Sequence, residues 1–172
     1  MSPIFALLTL ATANPPPISQ HVAFARWMAS ELTWGTLSTT SSRSEGSKIG
    51  DAFGNPYSFA SVDGVPYFFA SDMDGSMTDL FSNESTTSRA SLSLSEASLQ
   101  GPLQVRACKI GSFLGDPENP PCARLTLSGV MSKLPKGSAE ETVAKKELFS
   151  KHPSFKNYPP GHEFVCCLCP FH

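Results

Sequence analysis

Apolar and polar residues alternate along much of the middle of the chain, which is typical of β-strands with one buried and one exposed face. The clearest alternation is at 89–96 (RASLSLSE), where an alanine and two leucines alternate with serines. Other strands are predicted at 36–42, 57–62, 65–71, 103–110, 123–134 and 162–168. Residues 43–55 carry several glycines and serines, and this composition predicts a loop.

Two segments repeat apolar residues every three or four positions, which predicts amphipathic helices. The first runs from 18 to 33 with Ser19 as its N-cap, and its apolar stripe consists of Val22, Ala25, Met28, Ala29 and Leu32. The second runs from 139 to 151, because Ser138 and Glu141 form a capping box and Pro153 disfavours a helical residue before it. Its apolar face consists of Val143, Ala144 and Leu148. With one short helical turn at 76–81, the order of elements predicts an α+β domain built around a sheet or barrel.

Length and charge narrow the class of protein. The chain has 172 residues, of which 40% are hydrophobic, and this suits a single domain with one core. Its formal net charge is −2, so no electrostatic attraction to nucleic acid or to an anionic membrane is expected. No apolar run approaches the roughly 20 residues of a transmembrane helix, and no transmembrane segment is predicted.

The N-terminal segment 1–13 has features of a secretory signal peptide. The apolar run Ile4 to Leu10 precedes the small-x-small pattern Ala11-Thr12-Ala13, so cleavage is expected after Ala13. No lysine or arginine precedes this run, and the alternative is an apolar N-terminus that frays. Residues 14–20, which contain three consecutive prolines, are expected to form a stiff spacer.

Two further features bear on a secretory route. Asn83-Glu84-Ser85 matches the N-glycosylation acceptor pattern and lies in a polar loop, so Asn83 is the candidate glycosylation site. Cys108 and Cys122 would form a disulfide in an oxidising compartment. The alternative is two separate buried thiols in the core.

No catalytic constellation stands out in the sequence, and no catalytic residue is assigned. His152 and His162 flank a loop, and each is expected to bond carbonyl groups at a helix end in preference to a metal or a substrate proton. The final residues FVCCLCPFH crowd three cysteines together. Adjacent Cys166 and Cys167 would point to opposite faces of a strand, which leaves only the pair Cys167 and Cys169. No metal site is therefore expected.

Several motifs together resemble the CREG family, secreted glycoproteins named as cellular repressors of adenovirus-early-protein-stimulated genes. The matching stretches are, in chain order, Ala25-Arg26 with Trp34 to Thr39, Gly64 to Phe69, Arg89 to Glu96, Asp116 to Pro120 followed by Cys122 to Gly129 (CARLTLSG), and Leu148-Phe149 with His152-Pro153 and His162. The resemblance defines a domain from 21 to 165. Residues 166–172 are expected to be a tail from outside the family, which predicts a truncated or alternatively spliced product.

The resemblance implies an α+β fold, a split β-barrel like that of pyridoxamine 5′-phosphate oxidase, incomplete at its C-terminus. In that fold two subunits usually form a homodimer with FMN at their interface. CREG proteins resemble the fold without its chemistry, which implies a secreted or endolysosomal glycoprotein. Such a protein would act through protein or receptor contacts in growth and differentiation control. The alternatives are an FMN-dependent oxidoreductase and an intracellular binding module, for example in a plastid.

A flavin phosphate would need arginine or lysine together with serine or threonine side chains. The available residues are Ser41, Ser42 and Arg43 after the first strand, and Arg89, which opens the strand at 89–96. They form no recognisable fingerprint, and both arginines are expected to be solvated surface charges. No cofactor is therefore expected, and the cofactor-binding residues stay unassigned.

The incomplete barrel has an expected physical consequence. A barrel removes its edge strands only by closing. A chain without the final family strand is therefore expected to aggregate. It is also expected to unfold at a lower urea concentration than a full-length member.

Overall fold

The computed structural model describes residues 14–81, 88–159 and 164–170. The candidate signal peptide, Asn83 and His162 lie outside the described residues. The strands are β1 Trp34–Thr40, β2 Ala52–Ser58, β3 Ala60–Val62, β4 Val65–Ala70, β5 Arg89–Ser95, β6 Arg124–Lys133 and β7 Phe164–Pro170. The helices are α1 His21–Glu31, α2 Gly75–Phe81 and α3 Ala139–Lys151.

The seven strands form one antiparallel sheet in the order β2-β1-β5-β6-β7-β4-β3. Its two outermost strands, β2 and β3, are consecutive in the chain and are separated only by Phe59. The sheet therefore curls until its two edges approach each other at this fully buried residue. This curled antiparallel sheet with flanking helices confirms the expected α+β class.

The main hydrophobic core lies inside the curl. Leu37 of β1, Leu92 of β5 and Phe68 of β4 are each 0% exposed there. Side chains from α1, from the residue that caps its C-terminus and from α2 complete this core. They are Phe24, Trp27, Met28, Ala29, Leu32, Met77 and Leu80. The alternation predicted for β5 is confirmed, because its alanine and leucines are buried there.

A second, smaller core lies on the outer side of the sheet, where α3 covers β3, β4 and β7. Its buried residues are Ala60, Tyr67, Ala144, Leu148, Phe155, Val165 and Cys167. The predicted bounds of α3 are confirmed, and Ser138 Oγ accepts the Glu141 N–H at 3.1 Å. Since α3 covers only this half of the outer surface, the outer faces of β1, β5 and β6 are left exposed.

Two strand predictions were wrong. Residues 52–58 form β2, although a loop was predicted over most of this range, because an edge strand tolerates glycine and Pro56 where a central strand would not. Conversely, 103–110 is no strand but part of a series of short 3₁₀ turns. Leu103 and Val105 are two positions apart, as in a strand with one buried face. Both pack against the core from these turns, without pairing to a neighbouring strand.

The helices differ from prediction in the direction of their buried faces. α1 is shorter than 18–33, and Val22 is 72% exposed because the buried stripe is centred on Phe24 and Trp27. In α3, Val143 is 48% exposed, and Glu141 takes its place on the buried face. The Glu141 carboxylate is satisfied there by the Gly137 N–H and the Lys145 ammonium. These bonds lower the pKa of Glu141.

Candidate functional site

Two of the four residues considered for a flavin phosphate, Ser42 and Arg43, converge instead on Asp79, a carboxylate of α2 that is 1% exposed. Arg43 donates to it from Nε at 2.9 Å and from Nη2 at 3.2 Å. The backbone N–H of Ser42 donates at 2.9 Å and the Thr39 hydroxyl at 3.3 Å. The adjacent Ser41 is 2% exposed. We call Thr39, Ser42, Arg43 and Asp79 the Asp79 cluster.

The Asp79 cluster pairs a buried carboxylate with a half-buried guanidinium, so the expectation that Arg43 is a solvated surface charge was wrong. Its guanidinium lies over the Phe53 ring at 4.5 Å, and a Cβ on Gly75 would come within 2.9 Å of the guanidinium carbon. Burial by itself would raise the pKa of Asp79, but the bonds from Arg43, Ser42 and Thr39 outweigh it and lower that pKa. The bond to Asp79 in turn raises the pKa of Arg43.

These residues do not fit a flavin phosphate. The charge of Arg43 is neutralised by Asp79. The carboxylate of Asp74 also lies close enough to Arg43 to raise the pKa of the arginine further. Asp74 is itself held by Tyr57 Oη and by the Ser76 N–H. A phosphate dianion entering this region would meet two carboxylates and one arginine whose Nε and Nη2 already donate to Asp79, which is unfavourable.

Arg89, the fourth residue considered for a phosphate, belongs to a different surface. Most outward side chains of β1, β5 and β6 carry hydroxyl groups. We call the following set the hydroxyl face: Thr36, Ser38, Thr40, Ser91, Ser93, Thr126 and Ser128. The register places Ser91 between Ser38 and Ser128 on neighbouring strands. The Ser91 and Ser128 hydroxyls are 2.8 Å apart.

Two shallow cavities lie at the ends of the hydroxyl face. One, of about 310 Å³, is lined by Arg89 and the hydroxyl groups around Ser91. The other, of about 320 Å³, is lined by Arg124 and by Trp34, which is 42% exposed. Positive charge thus stands at both ends of a flat polar surface of small side chains, which suits contact with another macromolecule better than enclosure of a cofactor.

A second exposed surface is the loop that Cys108 and Cys122 close. The two cysteines form a disulfide, with Cα atoms 5.2 Å apart, and both are 2% exposed. Three large apolar side chains project from this loop, and we call them the loop tip: Ile110 (76% exposed), Phe113 (84%) and Leu114 (78%). The loop tip was not among the sequence candidates, although three large apolar residues interspersed with two glycines between two cysteines are a visible signal.

Hydrogen bonds hold the loop tip in a defined shape. The Ser112 hydroxyl donates to the carbonyls of Arg106 and Lys109, both at 2.9 Å. Leu114 has a φ of 60°, a conformation that is unusual for a residue with a side chain. Position 115 requires glycine, because a Cβ there would lie 2.3 Å from the Lys109 carbonyl oxygen. The apolar side chains are therefore presented by a constrained turn.

The remaining sequence candidates have structural roles. His152 Nε2 lies 2.9 Å from the carbonyl oxygen of Phe59, and its ring stacks on Phe155. The expected type of contact was right, but the partner is the corner between β2 and β3 and not a helix end. Cys167 is 2% exposed beneath α3. Across the described ranges, no group of three or more His, Cys, Asp or Glu side chains is arranged to hold a metal.

None of the helices in the described part of the chain has the length and apolar character that crossing a bilayer requires.

The chain is similar in sequence to one known family. The family described as "CREG, beta-barrel" matches residues 16–168, which includes Cys166 to Leu168 of β7. Protein CREG1 of Gallus gallus is 34% identical over 166 residues, covering 92% of this chain and 78% of the chicken protein. Protein CREG2 of Mus musculus is 34% identical over 158 residues, covering 88% of this chain and 49% of the mouse protein. The chain therefore spans about half the length of the mouse relative.

Solved structures share the fold at low sequence identity. A heme binding protein from Mycobacterium smegmatis matches with a TM-score of 0.62 and 20% identity, over 92% of this chain and 53% of that one. HutZ, a heme storage protein from Vibrio cholerae, matches with a TM-score of 0.59 and 11% identity, over 91% and 92%. A putative pyridoxamine 5′-phosphate oxidase from Listeria innocua matches with a TM-score of 0.50 and 10% identity, over 91% and 96%. The expected split-barrel fold is confirmed.

Proposed function

Because the chain belongs to the CREG β-barrel family, we propose that it is a secreted or endolysosomal glycoprotein. In this proposal it acts in growth and differentiation control by contacting a protein partner or receptor, and not as an enzyme. The observation that carries this proposal is the loop tip. Three large apolar side chains that are each at least 76% exposed are unfavourable in water and are typical of a contact surface. The disulfide and the constrained turn order them in advance, which lowers the entropy cost of binding.

Three features support the secretory part of the proposal. The disulfide between Cys108 and Cys122 is of a kind that persists in oxidising compartments. The segment 1–13 has the pattern of a signal peptide, and Asn83 lies in a glycosylation triplet. A plastid or other intracellular location would leave both sequence features unused.

The hydroxyl face is the surface we propose for a homodimer. Its side chains are small, so two sheets can approach closely, and Arg89 and Arg124 stand at its ends. In a two-fold contact the same face serves both copies. The competing function, an FMN-dependent oxidoreductase, is disfavoured by the carboxylates at the Asp79 cluster and at Asp74.

Expression in a secretory host tests the route and the assembly together. We expect the protein from the medium to begin after Ala13, to carry a glycan at Asn83, to have the native mass of two copies and to show no flavin absorption in the visible range. Intact mass before and after glycosidase treatment, light scattering and an absorption scan measure these properties. Retention of residues 1–13 without a glycan would favour an intracellular protein, and a flavin spectrum would favour the oxidoreductase.

Binding of labelled protein to cultured cells tests the contact surface. We expect the triple variant Ile110→Ser, Phe113→Ser, Leu114→Ser to bind about tenfold or more weakly than the wild type, because a few exposed apolar anchors dominate such contacts. Met73→Ser is the matched control, since Met73 is 83% exposed elsewhere on the surface. Equal binding by the triple variant and the wild type would contradict a role for the loop tip.

A further inference from the structure

An aromatic cavity lies in the angle between β4, α3 and the turn at Pro153–Asn157. Its volume is about 360 Å³, which is within the range of small-molecule sites. Four aromatic side chains line it, and we call them the aromatic cage: Phe69, Phe149, Phe155 and Tyr158.

The aromatic cage is a set of rings in mutual contact. Phe69 is its centre, with ring centroids 5.3 Å from Phe149, 5.6 Å from Phe155 and 6.2 Å from Tyr158. Phe155 also contacts Tyr158 at 5.1 Å and stacks on His152 at 4.9 Å. These contacts fix the ring orientations, so a planar ligand would meet a surface that is already arranged for stacking.

The charges at the cavity select the ligand class. Lys145 and Lys156 line it, and no acidic side chain of the described residues does. Lys145 is paired with Glu141 at 2.8 Å, whereas Lys156 is exposed at the rim. Aromatic cages elsewhere bind quaternary ammonium groups, but the Lys156 ammonium at the rim would repel such a cation. It would attract an anionic group.

We propose that the aromatic cage binds a small planar aromatic carboxylate, with the ring against Phe69 and Tyr158 and the carboxylate toward Lys156. The rings offer an apolar stacking surface, and the ammonium at the rim offers a charge-assisted hydrogen bond. This site is separate from the loop tip and the hydroxyl face, so the inference does not depend on the proposed function.

Calorimetric titration with 2-naphthoate tests the site, and 2-naphthylmethylammonium is the probe with the same rings and the opposite charge. We expect saturable binding of one naphthoate per chain and binding of the ammonium compound that is about tenfold weaker or absent. Lys156→Gln should weaken naphthoate binding about threefold. Tyr158→Ala should weaken it about fivefold, through loss of ring contact.

Two control variants keep the test specific. Lys146→Gln removes an exposed lysine of α3 that does not line the cavity, and Ile49→Ala removes an exposed apolar side chain elsewhere. Both should leave naphthoate affinity unchanged. The proposal is overturned if folded wild-type protein does not bind naphthoate. It is also overturned if Lys156→Gln and Tyr158→Ala bind it as tightly as the controls, or if the ammonium probe binds equally well.

Discussion

Replacing Arg43 by methionine is expected to lower the free energy of unfolding by about 3 kcal/mol at neutral pH, because it leaves a buried carboxylate without its counter-ion. The Asp79 side chain is 0% exposed, and that of Arg43 is 19% exposed. Methionine keeps much of the apolar packing against Phe53 and Gly75 but donates no hydrogen bond. Urea unfolding followed by circular dichroism measures the change.

The pH dependence of the same variant gives a second test of the Asp79 cluster. The folded-state pKa of Asp79 is lowered, so this group contributes stability that is present above the unfolded pKa of about 4. That contribution is lost as the pH falls through the lowered pKa. Loss of Arg43 raises the pKa of Asp79 in the folded variant relative to the wild type, and the unfolded pKa is common to both proteins. The difference between the wild type and Arg43→Met should therefore shrink as the pH falls from the Asp79 pKa of the variant to the lower Asp79 pKa of the wild type.

Arg106→Met is the matched control for Arg43→Met, since Arg106 is exposed and its side chain lies outside the Asp79 cluster. It should change stability by about 0.5 kcal/mol or less. Equal unfolding midpoints for Arg43→Met and Arg106→Met would show that the ion pair adds nothing to stability. A stability difference between the wild type and Arg43→Met that does not change with pH would show that ionisation of Asp79 is not its cause.

Removal of the disulfide should have a comparable effect. The double variant Cys108→Ala, Cys122→Ala is expected to lose about 3 kcal/mol, because the bond joins residues 14 apart and limits the unfolded chain. Alanine is preferred to serine because both positions are 2% exposed and a hydroxyl there would need a new partner. Urea unfolding under oxidising conditions measures the loss.

Reductant provides the internal control for the disulfide experiment. It should move the wild-type midpoint toward that of the double variant, and it should leave the double variant unchanged. An unaltered wild-type midpoint in reductant would contradict the expected contribution. The double variant should also bind cells more weakly if order in the loop tip matters for contact, because the loop would then have to be ordered on binding.

The loop tip, the hydroxyl face and the aromatic cage present three chemically different surfaces. The loop tip offers apolar side chains on a constrained turn, and the hydroxyl face offers small polar side chains between two arginines. The aromatic cage offers rings in mutual contact beside an exposed lysine. Ser42 and Arg43, which were considered for a flavin phosphate, instead bind Asp79 and so join the end of β1 to α2.

Local patterns in the sequence were enough to predict several elements. The bounds of α3 follow from Ser138, Glu141 and Pro153, because capping and proline act on neighbouring residues. The alternation in β5 predicts its buried face, since successive strand residues point to opposite sides. Family motifs such as CARLTLSG likewise identify the fold without coordinates.

Other features needed contacts between residues that are far apart in the chain. Arg43 and Asp79 are separated by 36 positions, and neither side chain is recognisable as part of a buried pair until the end of β1 meets α2. The aromatic cage joins Phe69 of β4 to rings beyond position 148, and Val143 is exposed because the contact surface of α3 is set by β3, β4 and β7. The sequence alone determined which segments fold as helix or strand where the cause is local. The tertiary structure decided which charges are neutralised and which apolar residues stay exposed, because burial and pairing depend on the partners that the curled sheet brings together.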